Sequence, residues 1–311
     1  MGGSIKNRIV FVTGAGGFIG RWVVKELLGL GAEIRALFGP EDEMEQSRSF
    51  PGSLVQADIC LGSQYRQILR GADVVIHLAG PPSVRESYRA IARFSQVHIV
   101  GTATLLEESL AANVERFIYI SSAEVYGQPV SNPVAEDYPC EVRSPYAAAK
   151  LAAEKFVEAA SRTTDLKTAV LRPFSVYGGG QARDSLLGTI VRQALRDEQV
   201  VLHDLTPVRD YCHVSDVARA IALACGAEIE GPMVVNVGSG IGTSVAELAQ
   251  VVLNVAGRDL SVRQAELGDR PASGTIHELV ADSRRAHDLL GWRPLLSLSD
   301  GVRQTIDAWH E

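Results

Sequence analysis

Through the first half of the chain, short apolar runs alternate with segments whose apolar positions recur at helical spacing. Arg8–Val12 reads as a buried strand. In Phe18–Leu28, positions Ile19, Val23, Val24, Leu27 and Leu28 share one helical face. Further strands are predicted over Glu33–Leu37, Ser53–Ala57, Val74–Leu78, Arg116–Ser121 and Lys167–Arg172. Helices are predicted near Ser63–Arg70, Tyr88–Ala112 and Tyr146–Arg162. Strands alternating with helices imply an α/β fold with a doubly wound parallel sheet covered on both faces.

After Pro173 the rhythm changes. Gly178-Gly-Gly-Gln181 is a flexible break. Asp184–Arg196 and His213–Ala224 read as helices and Val234–Val237 as a strand. Ser244–Ala256 opens with a Ser cap and carries Glu247 three residues on, the pattern of a capping box. Short helices near Ser283–Leu290 and Leu298–Trp309 close the chain. The expected organisation is a first domain over 1–175 and a smaller α/β domain over 176–311, with segments of the two partly interleaved.

Composition narrows the class. Of 311 residues, 46% are hydrophobic and 22% charged, which is ordinary for a globular chain. The net charge is −7 and no run of Lys or Arg supplies a local basic patch, so no nucleic-acid partner is expected. No apolar stretch approaches the ~20 residues of a membrane span, and no signal pattern opens the chain. The cysteines Cys60, Cys140, Cys212 and Cys225 are scattered without a C-x-x-C pair. That argues against a metal site or disulfide framework and suits a reducing, cytoplasmic setting.

Two clusters carry candidate chemistry. Gly14, Gly17 and Gly20 form G-x-x-G-x-x-G directly after the first strand and open the first helix. Backbone N–H groups at such a turn can face a pyrophosphate. An acid is commonly found at the end of the second strand to hold the adenosine ribose; here Phe38 stands there, followed by Gly39. Asp58 follows the third strand and reads equally as an adenine contact or a loop cap. The second cluster lies at the carboxyl end of the fifth strand, Ser121-Ser122-Ala123-Glu124-Val125-Tyr126-Gly127. Tyr146 and Lys150 then sit at i and i+4 on one helical face. An ammonium beside a phenol favours the phenolate, so a lowered Tyr146 pKa and a general base are expected.

These motifs resemble the extended short-chain dehydrogenase/reductases, specifically the nucleotide-sugar epimerase/dehydratase group. The resemblance adds His77-Leu-Ala-Gly80, Gly101-Thr102, Leu171-Arg-Pro173, Arg209-Asp-Tyr-Cys-His213 and Gly291-Trp-Arg-Pro294, and covers nearly the whole chain. It implies a Rossmann sheet and an NAD cofactor, with NADP also open. The cofactor residues implied are Gly14, Gly17, Phe18, Ile19, Gly20, Phe38, Asp58, Ile59, Leu78, Ala79, Gly80, Tyr146, Lys150 and Pro173. The catalytic set implied is Ser122, Glu124, Tyr146 and Lys150. Tyr146 would take a proton from a sugar hydroxyl, Ser122 would bond the same oxygen, and Lys150 would hold the nicotinamide ribose. Arg172-Pro173 would shape the nicotinamide side.

The substrate implied is a nucleotide-diphosphate sugar, met by Ser83, Ser122, Ala123, Glu124, Tyr146, Ser175, Arg209 and Arg270. Arg209 would pair with the diphosphate, while His213 and Asp216 would cap the helix that follows. Relatives often carry Asn where Ser175 and His98 stand; His98 is given no catalytic role. Pairing of helices Tyr88–Ala112 and Tyr146–Arg162 into a homodimer is likewise implied. A 4-epimerase is the first reading. A dehydratase with Glu124 as base, or a 4-keto-sugar reductase, is the alternative; Ala123 stands where dehydratases commonly carry an acid. A non-catalytic dinucleotide-binding regulator is the remaining class.

Overall fold

The computed structural model describes residues 4–42, 50–265 and 276–310. Among these residues the chain runs through thirteen strands: β1 Ile9–Thr13, β2 Glu33–Phe38, β3 Ser53–Gln56, β4 Val74–His77, β5 Arg116–Ile120, β6 Lys167–Pro173, β7 Ser175–Tyr177, β8 Gln199–Leu202, β9 Val208–His213, β10 Met233–Val237, β11 Gly242–Ser244, β12 Ser261–Gln264 and β13 Glu278–Leu279. The largest sheet has the order β10-β6-β5-β4-β1-β2-β3. Every pairing in it is parallel. Such strands are buried on both faces, which is why they read as near-continuous apolar runs; all five residues of β5 are buried.

Helix Phe18–Gly29 covers one face of this sheet. Its buried residues Val23, Val24 and Leu27 pack with Val10, Val12, Ile34 and Ile76. Helix Val214–Gly226 lies beside it, contributing Val217, Ile221 and Cys225 to the same core. Helix Pro145–Thr163 covers the other face, where Ala153 and Val157 meet Phe117, Tyr119 and Val170. Pro145 at its first turn and Ser144 as cap, accepting from the Ala147 N–H at 3.1 Å, explain where it begins.

Between β4 and β5 the chain is not one helix from Tyr88. A four-residue helix, Val84–Ser87, ends before Arg89 and Ala90, and a second run spans 91–111. That run contains a single π-turn at Gln96–Val100. After β6 the chain builds a small sheet, β11-β9-β13, with β7 also pairing β9. A separate pair, β12 with β8, lies next to helices Leu186–Arg196 and Val245–Ala256. These helices bury Leu187, Ile190, Leu248 and Val252 in a core of their own. The segment 214–237 returns to the large sheet through helix Val214–Gly226 and edge strand β10. Among the described residues, no helix is long and apolar enough to cross a membrane, and no group of His, Cys, Asp or Glu has the arrangement of a metal site.

Candidate active site

The carboxyl ends of β1, β4, β5 and β6 converge on one sheet edge, where open α/β folds place their ligands. Gly14 turns the chain at φ +68°, and a Cβ there would lie 2.9 Å from the Ala79 nitrogen. The helix that follows has Gly17 at its cap and no side-chain cap. The N–H groups of Phe18, Ile19 and Gly20, in its first turn, therefore have no intrahelical acceptor. A Cβ at Gly17 would meet only the Gly14 carbonyl oxygen, at 3.2 Å. The space beyond Gly17 is open, and the turn fits an anionic group such as a pyrophosphate.

A buried network holds this turn to β4. The Leu78 and Ala79 N–H groups both donate to Thr13 Oγ1 at 3.2 Å. Thr13 Oγ1 lies 2.8 Å from His77 Nδ1, and His77 Nε2 lies 2.9 Å from Thr102 Oγ1. Burial, with the Lys150 charge adding to it, holds the His77 pKa well down, so the ring is neutral. Phe38 is buried under the glycine loop, edge-on to Phe50 at 5.6 Å, and a Cβ on Gly16 would come within 3.0 Å of its ring. Ala15, Gly16, Arg21, Lys25, Phe38 and Phe50 line a cleft of about 360 Å³ beside the loop. Asp58 has a local role as well: Oδ1 accepts from the Cys60 N–H at 2.9 Å, with Ile59 buried beside it.

Ser122, Tyr146 and Lys150 come together at the end of β5. Ser122 lies close enough to Tyr146 to favour its phenolate, and its Oγ accepts from the Glu124 N–H at 3.2 Å. Lys150 Nζ donates to the Ile120 carbonyl at 2.8 Å and lies 5.0 Å over the Tyr119 ring. The expected lowering of the Tyr146 pKa is not present in the chain alone. Burial pushes Tyr146 up to about 12, Ser122 works against this, and Glu124 adds to it. The same burial brings Lys150 down to about 7, against the pull of Glu154. Desolvation of the phenol is the largest cause, and that is the physical reason for the difference.

Glu124 is half-buried, and burial raises its pKa while Arg209 lowers it. Arg209 is not paired with Asp210. Its Nη1 and Nη2 donate to the carbonyls of Val208 at 3.0 Å and Ile276 at 2.8 Å. Asp210 is fully buried and accepts instead from the Ser239, Gly240 and Ala281 N–H groups. Ala123 is buried beside Glu124, and Ser175 lies half-buried on β7. Ser83 caps the short helix Val84–Ser87, its Oγ accepting from the Glu86 N–H at 3.1 Å. Arg270 lies outside the described residues. His213 and Asp216 act structurally: His213 accepts from the Ser215 N–H, and Asp216 from the N–H groups of Leu295 and Leu296.

Arg172, beside Pro173 at the end of β6, is held in a buried network. It makes a bidentate pair with Glu154, Nε to Oε1 at 3.0 Å and Nη2 to Oε2 at 2.6 Å, with both side chains almost fully buried. Ser121 Oγ donates to the same carboxylate, and Arg172 Nη1 reaches the Tyr126 hydroxyl at 2.9 Å. Tyr126 donates in turn to Asn236 Oδ1 at 2.7 Å on β10. This network ties β5, β6, β10 and the Tyr146 helix together. One signal pointed to it in the sequence: Glu154 is four residues after Lys150, on the same face.

Fold and site together define an α/β dinucleotide-binding protein with a Ser/Tyr/Lys set at the sheet edge. A family model described as the NAD dependent epimerase/dehydratase family matches residues 10–238. The chain belongs to that family. It is 31% identical over 312 residues to a UDP-glucose 4-epimerase of Mycolicibacterium smegmatis, covering 95% of this chain and 96% of the relative. It is 32% identical over 314 residues to a dTDP-glucose 4,6-dehydratase of Streptomyces griseus, covering 97% and 94%. Among solved structures, MoeE5 in complex with UDP-glucuronic acid and NAD superposes with a TM-score of 0.86 at 32% identity, over 97% of this chain and 98% of that one.

Proposed function

We propose that the protein is a nucleotide-sugar 4-epimerase that works by transient oxidation at C4 of the sugar. The observation that carries this reading is the grouping of Ser122, Tyr146 and Lys150 beside the glycine turn, with no acid adjacent to Glu124. Bound NAD, as in MoeE5, would accept and return the hydride. Its pyrophosphate would lie on the Phe18–Gly20 N–H groups. Tyr146 would exchange the proton of the C4 hydroxyl, with Ser122 bonding the same oxygen. Lys150 would keep a positive charge beside the phenol once the site is filled. Arg209 would pair with the diphosphate, a planar donor suited to that geometry. In this reading 1–175 with the returning segment holds the dinucleotide, and the rest of 176–311 mainly holds the sugar nucleotide.

A dehydratase is the reading to separate from this one, because Glu124 is present and its burial-raised pKa suits proton transfer. A 4-keto-sugar reductase shares the same Tyr146 step. Turnover of UDP-, GDP-, CDP- and dTDP-sugars in heavy water discriminates. An epimerase exchanges no C5 hydrogen, and Glu124→Gln changes its turnover only modestly. A dehydratase labels C5, loses the C6 hydroxyl and slows by roughly 10²–10⁴-fold in Glu124→Gln while 4-keto sugar accumulates. C5 labelling with loss of the C6 hydroxyl would overturn the epimerase reading.

A further inference from the structure

Tyr119 on β5 is 1% exposed, and its hydroxyl is buried without a hydrogen-bond partner among the described residues. An unmet hydroxyl in a dry place costs stability. Burial, with Tyr146 and Glu154 adding to it, holds the Tyr119 pKa well above its ordinary value, so the phenol stays neutral. What Tyr119 gives the site therefore comes from its ring. In the parallel register of β4 and β5 it stands opposite His77, whose ring lies 5.5 Å away, tilted by 44°. Lys150 Nζ lies over the Tyr119 ring, 5.0 Å from its centroid.

Little else serves that ammonium. It has three N–H bonds to place, and among the described residues one of them is used, to the Ile120 carbonyl at 2.8 Å. The titratable and charged groups around it are Tyr146 and Glu154 on its own helix, Tyr119 on β5, His77 on β4 and His98 on the helical run 91–111, with Arg172 of β6 behind Glu154. Both histidines are neutral, because burial and the Lys150 charge hold their pKa values down, that of His98 to about 3. Glu154 pulls Lys150 toward its charged form, but its carboxylate oxygens are shared between Arg172 and Ser121. A cation stripped of water in this way gains most from an aromatic face, since the ring quadrupole acts unscreened.

We propose that Tyr119 is a positioning residue for Lys150, its buried ring face attracting the ammonium and keeping it charged next to Tyr146. The contact opposes the discharge that burial favours, and a charged Lys150 in turn favours the Tyr146 phenolate. The ring carries this role and the hydroxyl does not, so phenylalanine should serve as well as tyrosine, and leucine should not.

The first test needs no turnover. In protein labelled with ¹³C at the lysine ε-carbon, the Lys150 resonance, assigned by its loss in Lys150→Met, reports the charge as pH is varied around neutrality. Tyr119→Phe should leave the midpoint in place. Tyr119→Leu should lower it by about one pH unit or more, the scale of a desolvated cation–π contact. Phenylalanines carrying one, two and three ring fluorines, placed at position 119 by nonsense suppression, keep the packing and drain charge from the ring face in steps. The midpoint should fall in the same order. These ring variants decide the question even where Tyr119→Leu fails to fold. A midpoint indifferent to fluorination, or one that falls as far in Tyr119→Phe as in Tyr119→Leu, would overturn the proposal.

The kinetic test rests on the function proposed above. Tyr119→Leu should lower kcat by about tenfold, the equivalent of one pH unit, with KM little changed. Its pH profile should narrow, because Lys150 discharges at lower pH and Tyr146 ionises at higher pH. Tyr119→Phe should keep the wild-type rate and profile. A lower kcat in Tyr119→Leu with an unmoved profile would mean packing alone and count against the proposal. A wild-type chain inactive on every sugar nucleotide would strike the proposed function, and the fluorination series would still decide the role of Tyr119.

Discussion

Gly17 and Gly20 belong to one motif, yet a side chain has opposite consequences at the two positions. A Cβ on Gly17 meets one carbonyl oxygen and otherwise points into open space. A Cβ on Gly20 collides with Gly14 O and lies 2.8 Å from Ala15 Cα, backbone that cannot yield without opening the turn. Gly17→Val should therefore keep the melting temperature of the wild type and lose NAD binding. Gly20→Val should lose stability by about 1–3 kcal/mol or more, the usual cost of overpacking. Thermal unfolding together with calorimetric titration of NAD separates the two; a folded Gly17→Val protein with unchanged affinity would refute the cradle. The motif itself was legible in the sequence, as was the i, i+4 pairing of Tyr146 with Lys150. The charge states were not, because the pKa values follow from how completely the fold buries both groups.

At the scale of elements, the Glu154–Arg172 pair is the tie that holds the Tyr146 helix to the ends of β5 and β6. Removing one partner leaves a buried charge without its counter-ion. Arg172→Met should cost about 3–5 kcal/mol in urea unfolding, and the double change Arg172→Met with Glu154→Leu should cost clearly less. A double variant as unstable as the single one would show that the pair is not the source. The parallel strands were readable as apolar runs because both of their faces are covered. β9 was not, since Arg209, Asp210 and His213 interrupt Val208-Arg-Asp-Tyr-Cys-His213 and leave no apolar run. β7 and β13 are too short to leave a pattern. The helix expected from Tyr88 was overextended because its apolar spacing continues past the break at Arg89–Ala90.

At the scale of the whole molecule, helices 91–111 and Pro145–Thr163 lie side by side on one face of the sheet. Val157 on the second is fully buried, whereas Phe156 is 47% exposed, as are Ile91 at 56% and Val100 at 43% on the first. Apolar side chains presented this way suit the isologous two-helix pairing proposed from the family resemblance. Phe156→Arg should then shift the light-scattering mass of a dimeric protein to that of the monomer; a wild type already monomeric at micromolar concentration would refute the pairing.

Strand β10 completes the outer side of β6 and comes from residues 233–237, long after the other strands of that sheet. A ribosome releases the chain from its N-terminus, so β1 to β6 emerge while the place of β10 is still empty. During that interval β6 presents a bare row of N–H and C=O groups, the kind of border that captures strands from neighbouring chains. A fragment cut at residue 175 freezes that interval permanently. It should collect as insoluble material during expression, whereas a fragment reaching past Val237 has the strand that covers the border and should stay dispersed.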